Sequence, residues 1–284
     1  MSAPINFKDL RTPSAIEDVN FDQRLADLRA RLVALFPAIA TSLDSEADIN
    51  SKLLELLAEL RTQFDARIND SVKALLLPFA VGSDLEHIGT TYHRTSRKDN
   101  EDDEQYRRRI ALAPDAKSVA GPVNAYLFHA LSASPDVKAA AFESPTPNHV
   151  NIFILSHANS GKPSAALLDI VRQALNPDDV RPQGDKVNVQ SAFIQPYQIK
   201  EKLVSAAGFN VEKIYSVALG SIQQYVHSQH ILGGVISESG LHGALHVNGV
   251  EEVRLEPASF TRLEAAANQA LYCDDINLQV VREP

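Results

Sequence analysis

The amino-acid sequence predicts an α+β protein in which a region of long helices is followed by two small units that mix helices and strands. Up to residue 117, apolar side chains recur at the three- and four-residue steps of amphipathic helices. From residue 118 onward, helical stretches are interrupted by short strand-like runs. This grouping favours small mixed or antiparallel sheets that are covered by helices.

The composition is that of an ordinary globular chain with an acidic balance. The 284 residues are 44% hydrophobic and 22% charged, with a formal net charge of -9. An acidic chain does not attract nucleic-acid phosphates, so we expect no nucleic-acid partner. The longest apolar run, 74–81, is short and contains Pro78, so neither a membrane span nor a signal peptide is expected. The single cysteine, Cys273, excludes an intrachain disulfide and fits a reducing compartment.

The N-terminal residues predict an extended arm followed by a first helix. Residues 1–19 are polar and show no steady period. A helix is predicted between a cap at Asn20 and Pro37, which ends it. Three leucines of its apolar stripe are expected to contribute to partner binding: Leu25, Leu28 and Leu32.

A second and longer helix is predicted after a cap at Ser45. Asp48 follows three residues later, which is the spacing of a reciprocal capping box. Apolar side chains then recur from Ile49 to Leu75, before the block at Pro78. Such a helix needs a partner along its length, and either the first helix or helices of other subunits can supply one. The side chains expected to bind a partner are Leu53, Leu56, Leu60, Phe64, Ile68 and Val72.

The segment NEDDEQYRRRI, residues 100–110, could be a metal or phosphate site or the charged surface of a helix. Consecutive acids on a helix point in different directions and cannot converge on one ion, which favours the structural interpretation. Early acids and later arginines also match the helix dipole, with Asp99 or Asn100 as the cap. The segment contains two acid–arginine pairs at the favourable spacing of four residues: Asp103–Arg107 and Glu104–Arg108.

The remaining chain predicts two α+β units after a helical region at 20–117. The first unit, 118–195, contains the helices GPVNAYLFHALSA and PSAALLDIVRQAL and the strands DVKAAAFES, HVNIFILS and DKVNVQSA. The second unit, 196–284, contains the strand YQIKEKLVSA, a long helix, a short helix and two later strands. The segment ILGGVISESG is expected to be a flexible loop.

One group of side chains could support catalysis. His242 and His246 lie four residues apart on a predicted helix, and His227 and His230 lie nearby in sequence. These four histidines could form the site of a metal-dependent hydrolase, which is the alternative function. Gly243 stands where zincins place their general base, and the chain has no phosphate loop or nucleophile elbow. The residues by themselves therefore predict no enzyme and no cofactor.

Three long stretches carry a resemblance to a known family. They are LLELLAELRTQFDARINDSVKALLLPFAVGSDLEHIGTTYHRTSR, DEQYRRRIALAPDAKSVAGPVNAYLFHALSASPDVKAAAFESPTP and VRPQGDKVNVQSAFIQPYQI. In this order they resemble the baseplate J-like family of contractile-tailed phages and related contractile injection particles. Asn148 stands where the family commonly has glycine in a hairpin, and asparagine also tolerates a left-handed backbone.

The resemblance implies a structural protein without catalytic residues. Family members form baseplate wedges, and two copies pair with another wedge protein through their N-terminal helices. They also contact a small lysozyme-like wedge protein. The resemblance thus implies a place in the tail baseplate of a particle that is assembled in the host cytoplasm. A phage, a bacteriocin and an injection device all remain open.

Overall fold

The computed structural model describes residue 7 and residues 10–45, 47–118, 120–177, 180–255 and 262–282. Within these ranges the chain has the predicted α+β class, with helices, two three-stranded sheets and a two-stranded sheet. It divides into two compact units, Met1–Arg97 and Lys98–Pro284. None of the helices in the described ranges combines the length and the hydropathy that crossing a bilayer requires.

The first unit contains three helices: α1 (Phe21–Leu35), α2 (Ile49–Ala74) and α3 (Gly82–His93). Asn20 caps α1 as predicted, since its side chain accepts the N–H of Gln23. The predicted cap at Ser45 is wrong. Asp48 caps α2 instead, because its extended backbone places the carboxylate 2.8 Å from the N–H of Asn50.

Part of the predicted N-terminal arm lies in the described residues. Residues 10–19 are irregular and contain one turn, in which the N–H of Ile16 donates to the carbonyl of Pro13 at 3.0 Å. Residues 1–6, 8 and 9 of the predicted arm lie outside the described residues.

The second unit begins with two helices and a three-stranded sheet. Helices α4 (Asp103–Leu112) and α5 (Val123–Ala133) precede the hairpin of β1 (Val137–Thr146) and β2 (His149–Ser156). Helix α6 (Ala165–Leu175) then connects β2 to the parallel strand β3 (Lys186–Ser191). The core between α5, α6 and the sheet includes Ile152, Ile154, Val171 and Leu175.

The hairpin between β1 and β2 confirms the expectation for Asn148. This residue has φ 63, in the left-handed region that glycine and asparagine occupy most readily. Its carbonyl also accepts the N–H of Lys186 at 2.7 Å, which ties the turn to the start of β3.

A second three-stranded sheet follows. Its strands are β6 (Val250–Leu255), β4 (Phe193–Ser205) and β8 (Gln269–Val281), in that spatial order, with β4 and β8 parallel. Helices α7 (Val211–Gln229) and α8 (Glu238–Leu245) cover a core that includes Ile199, Leu203, Ile222, Leu241 and Leu271.

The prediction of a flexible loop is partly wrong, because the segment contains a strand. Within ILGGVISESG, β5 (Val235–Ser237) pairs with β7 (Arg262–Glu264) in an antiparallel two-stranded sheet. Gly233 turns the chain with φ 71. At Gly234, a Cβ atom would lie 2.2 Å from the carbonyl oxygen of Gln229, so only glycine permits this close return of the backbone.

The acidic and arginine-rich segment is a structural helix, as predicted. Its cap is Asp102, which accepts the N–H of Gln105 at 2.8 Å, and not Asp99 or Asn100. Asn100 cannot begin the helix because its φ is 59. Glu104 pairs with Arg107 at 2.8 Å and with Arg108 at 3.6 Å, and the latter contact confirms one of the predicted pairs.

A buried ion pair within this segment joins the residue before the cap of α4 to the last turn of α4. The carboxylate of Glu101 accepts hydrogen bonds from Nε of Arg109 at 2.6 Å and from Nη2 of Arg109 at 2.7 Å, and both side chains are buried. Next to this pair, the Lys98 ammonium donates to the carbonyl oxygens of Leu131 and Ser132 at the end of α5. Burial, reinforced by the nearby Arg109, lowers the pKa of Lys98 to about 8. Because the second unit begins at Lys98, the last part of the predicted helical region 20–117, with α4, lies in that unit.

Candidate assembly interface

Helix α2 has two faces of opposite character. The face toward α1 is buried and carries small or polar residues beside one leucine: Ser51, Leu54, Ala58, Asp65 and Asn69. The opposite face carries exposed apolar side chains, which we call the apolar stripe: Ile49, Leu53, Leu56, Leu57, Leu60, Phe64 and Ile68, continued by Leu75 just after the helix. At ~100° per residue, Leu60 lies about 160° around the helix from Ala58. The hairpin with α1 thus leaves the apolar stripe uncovered.

The apolar stripe is more exposed than a folded monomer ordinarily allows. Its side chains retain between 43% and 76% of their accessible surface. A contiguous exposed apolar surface of this kind marks a site of interaction. Completing the burial of eight half-exposed side chains would contribute roughly 6–12 kcal/mol, at about 1.5–3 kcal/mol for each fully buried side chain. That is comparable to the cost of association, about 4–15 kcal/mol, so burial of the stripe could offset this cost.

The structure places the predicted partner-binding residues in two different environments. The exposed group lies on the apolar stripe and comprises Leu53, Leu56, Leu60, Phe64 and Ile68. The half-buried group comprises Val72 of α2 and the α1 residues Leu25, Leu28 and Leu32. Leu57 is also exposed, at 52%, but was not among the predicted residues. Its position three residues before Leu60 and four after Leu53 was the available signal.

The four histidines of the alternative site do not come together. Among the described residues, no three histidine, cysteine or acidic side chains are grouped so that they could hold a metal ion. His227 lies in the last turn of α7, and His242 lies in α8 with Nε2 4.0 Å from a carboxylate oxygen of Glu238. His246 is the C-terminal cap of α8. This arrangement contradicts the metal site of the alternative function.

His230 has a structural environment of its own. Its Nδ1 donates to the carbonyl oxygen of Leu271 at 2.7 Å, and its ring contacts Tyr272 edge to face. Burial lowers the pKa of His230, and the positive charge of Lys138 lowers it further. A neutral imidazole that is fixed to a backbone carbonyl connects β8 to the end of α7, which is a packing role.

Two models of one family match the chain. The model described as "Baseplate J-like N-terminal domain" matches residues 46–98, which contain all of α2. The model described as "Baseplate J-like central domain" matches residues 118–191, which contain the first three-stranded sheet. The apolar stripe therefore lies within the N-terminal match.

A characterised relative matches nearly the whole chain. "Baseplate protein J" of Escherichia phage P2 is 37% identical over 290 aligned residues, covering 95% of this chain and 96% of the relative. A chain in the "Cryo-EM structure of the anti-feeding prophage (AFP) baseplate, 6-fold symmetrised" shares 12% identity at a TM-score of 0.42. That match covers 64% of this chain and 43% of the other, and at this TM-score it does not establish a shared fold.

Proposed function

The chain belongs to the baseplate J-like family, and from this premise we propose that it is a structural wedge subunit of the baseplate of a contractile tail. The apolar stripe of α2 is the observation that carries the proposal, because it is a ready surface for helices of other chains. The role is mechanical. Wedges hold a closed ring before the particle attaches to its target and rearrange afterwards, so their contacts must have two stable arrangements.

The proposed partners are a second copy of the chain and other wedge proteins, including the small lysozyme-like one. Helix α2 would enter a bundle with these partners through the apolar stripe, which extends over about 39 Å at ~1.5 Å per residue. The two α+β portions that follow would form the contacts between neighbouring wedges. We place the protein in the tail baseplate of a particle that is assembled in the host cytoplasm.

The acidic balance of the chain supports a protein partner over a nucleic acid. The net charge is -9, and seven of the exposed apolar side chains lie together on one face of α2. Phosphate binding depends on clustered lysine and arginine side chains, whereas helix association depends on apolar burial. The apolar stripe is suited to helix association.

Co-expression with other tail proteins tests the proposal. We expect the full chain to elute with at least one of them as a discrete complex, whose mass by light scattering contains both proteins in whole-number ratio. The same chain expressed alone is the control. A chain that remains alone with every wedge protein offered would contradict the proposed function.

A further inference from the structure

The buried face of α2 carries a charged residue where a leucine would be expected. The Asp65 side chain is only 4% exposed, and each of its two carboxylate oxygens forms an ion pair with an arginine. Nε of Arg24, from α1, lies 2.9 Å from Oδ2, and Nε of Arg61, one turn earlier on α2, lies 3.0 Å from Oδ1. The carboxylate therefore joins α1 to α2 through Arg24.

One turn further along α2, Asn69 binds the segment before α1. Its side-chain amide donates to the carbonyl oxygen of Glu17 at 2.8 Å and accepts the N–H of the same residue at 3.1 Å. The Glu17 carboxylate in turn accepts Nη2 of Arg24 at 2.8 Å. We call this connected set, Glu17, Arg24, Asp65 and Asn69, the polar interface.

Apolar contacts alone would not hold α1 on this face. No residue of α1 is fully buried, and Phe21 and Leu35 remain 37% and 73% exposed. A helix with its own leucines would bury more apolar surface against the apolar stripe than against a face that contains Asp65 and Asn69. The packing of α1 on the buried face of α2 therefore needs an explanation other than apolar burial.

We propose that the polar interface determines the orientation of the helical hairpin: Asp65 and Asn69 select the face and the register in which α1 packs, and so keep the apolar stripe free for partner chains. Buried polar groups act in this way in coiled coils, where one polar position fixes register and partner at a cost in stability. The inference rests on the proposed function only where it assigns the free apolar stripe to partner chains. The orientation of the hairpin is a property of the isolated chain.

The two arginines have different roles in this selection. Arg61 lies on α2 itself and stays beside Asp65 in any arrangement of α1. Arg24 reaches Asp65 only in the observed register, because a shift of α1 by one turn would move it by about 5.4 Å. The same shift would withdraw Glu17 from Asn69. A shifted or flipped hairpin thus loses several hydrogen bonds to a buried carboxylate and a buried amide, which disfavours it.

The distance between spin labels on the two helices tests this inference. Labels are attached at the exposed positions R31C and E59C in a C273S background, and the labelled chain is diluted with unlabelled chain. We expect one narrow distance distribution when the polar interface is intact. With D65L/N69L we expect a broadened distribution or a second distance, because the buried face no longer differs in polarity from the apolar stripe.

A matched control separates orientation from added hydrophobicity. Q63L/D70L also replaces one amide and one acid by leucine on α2, but at exposed positions outside the polar interface. It should keep the single narrow distribution. If D65L/N69L gives the same distribution as the intact chain, the proposal is wrong.

A second variant covers the case in which D65L/N69L loses helix content by circular dichroism. R24M/N69A removes the partner cation and the amide with good helix-forming residues, and it should broaden the distribution in the same way. An unchanged distribution in this folded variant would also overturn the proposal. The spin-label result needs no partner, so failure of hetero-assembly would count against the proposed function only.

Discussion

The double variant L60D/F64D is expected to abolish assembly with tail proteins while both units of the chain stay folded. Leu60 and Phe64 are 43% and 64% exposed near the middle of the apolar stripe, so aspartate at these positions remains hydrated in the isolated chain. In a complex the two carboxylates would be buried against apolar side chains without partners, which costs several kcal/mol. Co-purification yield and complex mass measure the loss, and circular dichroism measures the fold.

The matched control changes the net charge by the same amount but substitutes no residue of the apolar stripe. K52Q/Q63D also lowers the charge of α2 by two, at exposed positions beside the stripe. We expect it to assemble at normal yield, because the pair of Lys52 with Glu55 is exposed and contributes little. Normal assembly of L60D/F64D, or an equal loss in the control, would show that the apolar stripe is not the binding surface.

The second large effect is expected from E101A, in the unit Lys98–Pro284. This substitution leaves the guanidinium of Arg109 buried without its bidentate carboxylate, since the two side chains are only 6% and 5% exposed. Breaking one half of a buried ion pair typically costs about 3–5 kcal/mol of unfolding free energy. For a unit of this size the midpoint of thermal unfolding should fall by roughly 6–20 °C. Thermal and urea unfolding of the full chain measure the loss.

The neighbouring Glu104 provides the comparison. Its side chain is 56% exposed and pairs with Arg107 and Arg108 on the same helix. The partner Arg107 is only 10% exposed, but the Glu104 carboxylate itself stays hydrated, so E104A should lower the unfolding midpoint by less than E101A does. Equal destabilisation by E101A and E104A would mean that the buried ion pair contributes no more to stability than the pairs of the exposed Glu104.

The elements that carry a long periodic signal could be predicted from the sequence. Helix α2 was located because its apolar residues keep three- and four-residue steps over seven turns, and tertiary contacts cannot easily override so long a pattern. The left-handed Asn148 was predicted because few residues other than glycine accept that backbone. In both cases a local constraint was sufficient.

The features that depend on which surfaces meet could not be predicted. Asp65 and Asn69 are exposed-type residues in the sequence, and only the position of α1 shows that they are buried. The Glu101–Arg109 pair spans eight residues, twice the spacing used to predict ion pairs. Strand β5 has three residues, too few for any period, and its partner β7 lies about 25 residues later.

The residue that caps α2 also could not be predicted from the sequence. Ser45 and Asp48 both have side chains that cap helices, and the spacing favoured a capping box. The N–H of Asp48 instead donates to the carbonyl of Ser45 at 3.2 Å in a turn, and the helix begins at Ile49, so that the second residue of the expected box becomes the cap. Sequence spacing alone does not determine where such a turn ends.

The central claim is that other chains cover the apolar stripe in the assembled baseplate, and the accessibility of Leu60 in purified particles tests it most directly. A particle that carries L60C in a C273S background is treated with a maleimide, and the labelling rate is compared with that of the isolated chain. Particles unfolded in urea give the full reactivity as a control. We predict rapid labelling of the isolated chain and strong protection in the particle. Labelling at the same rate in both would contradict the account.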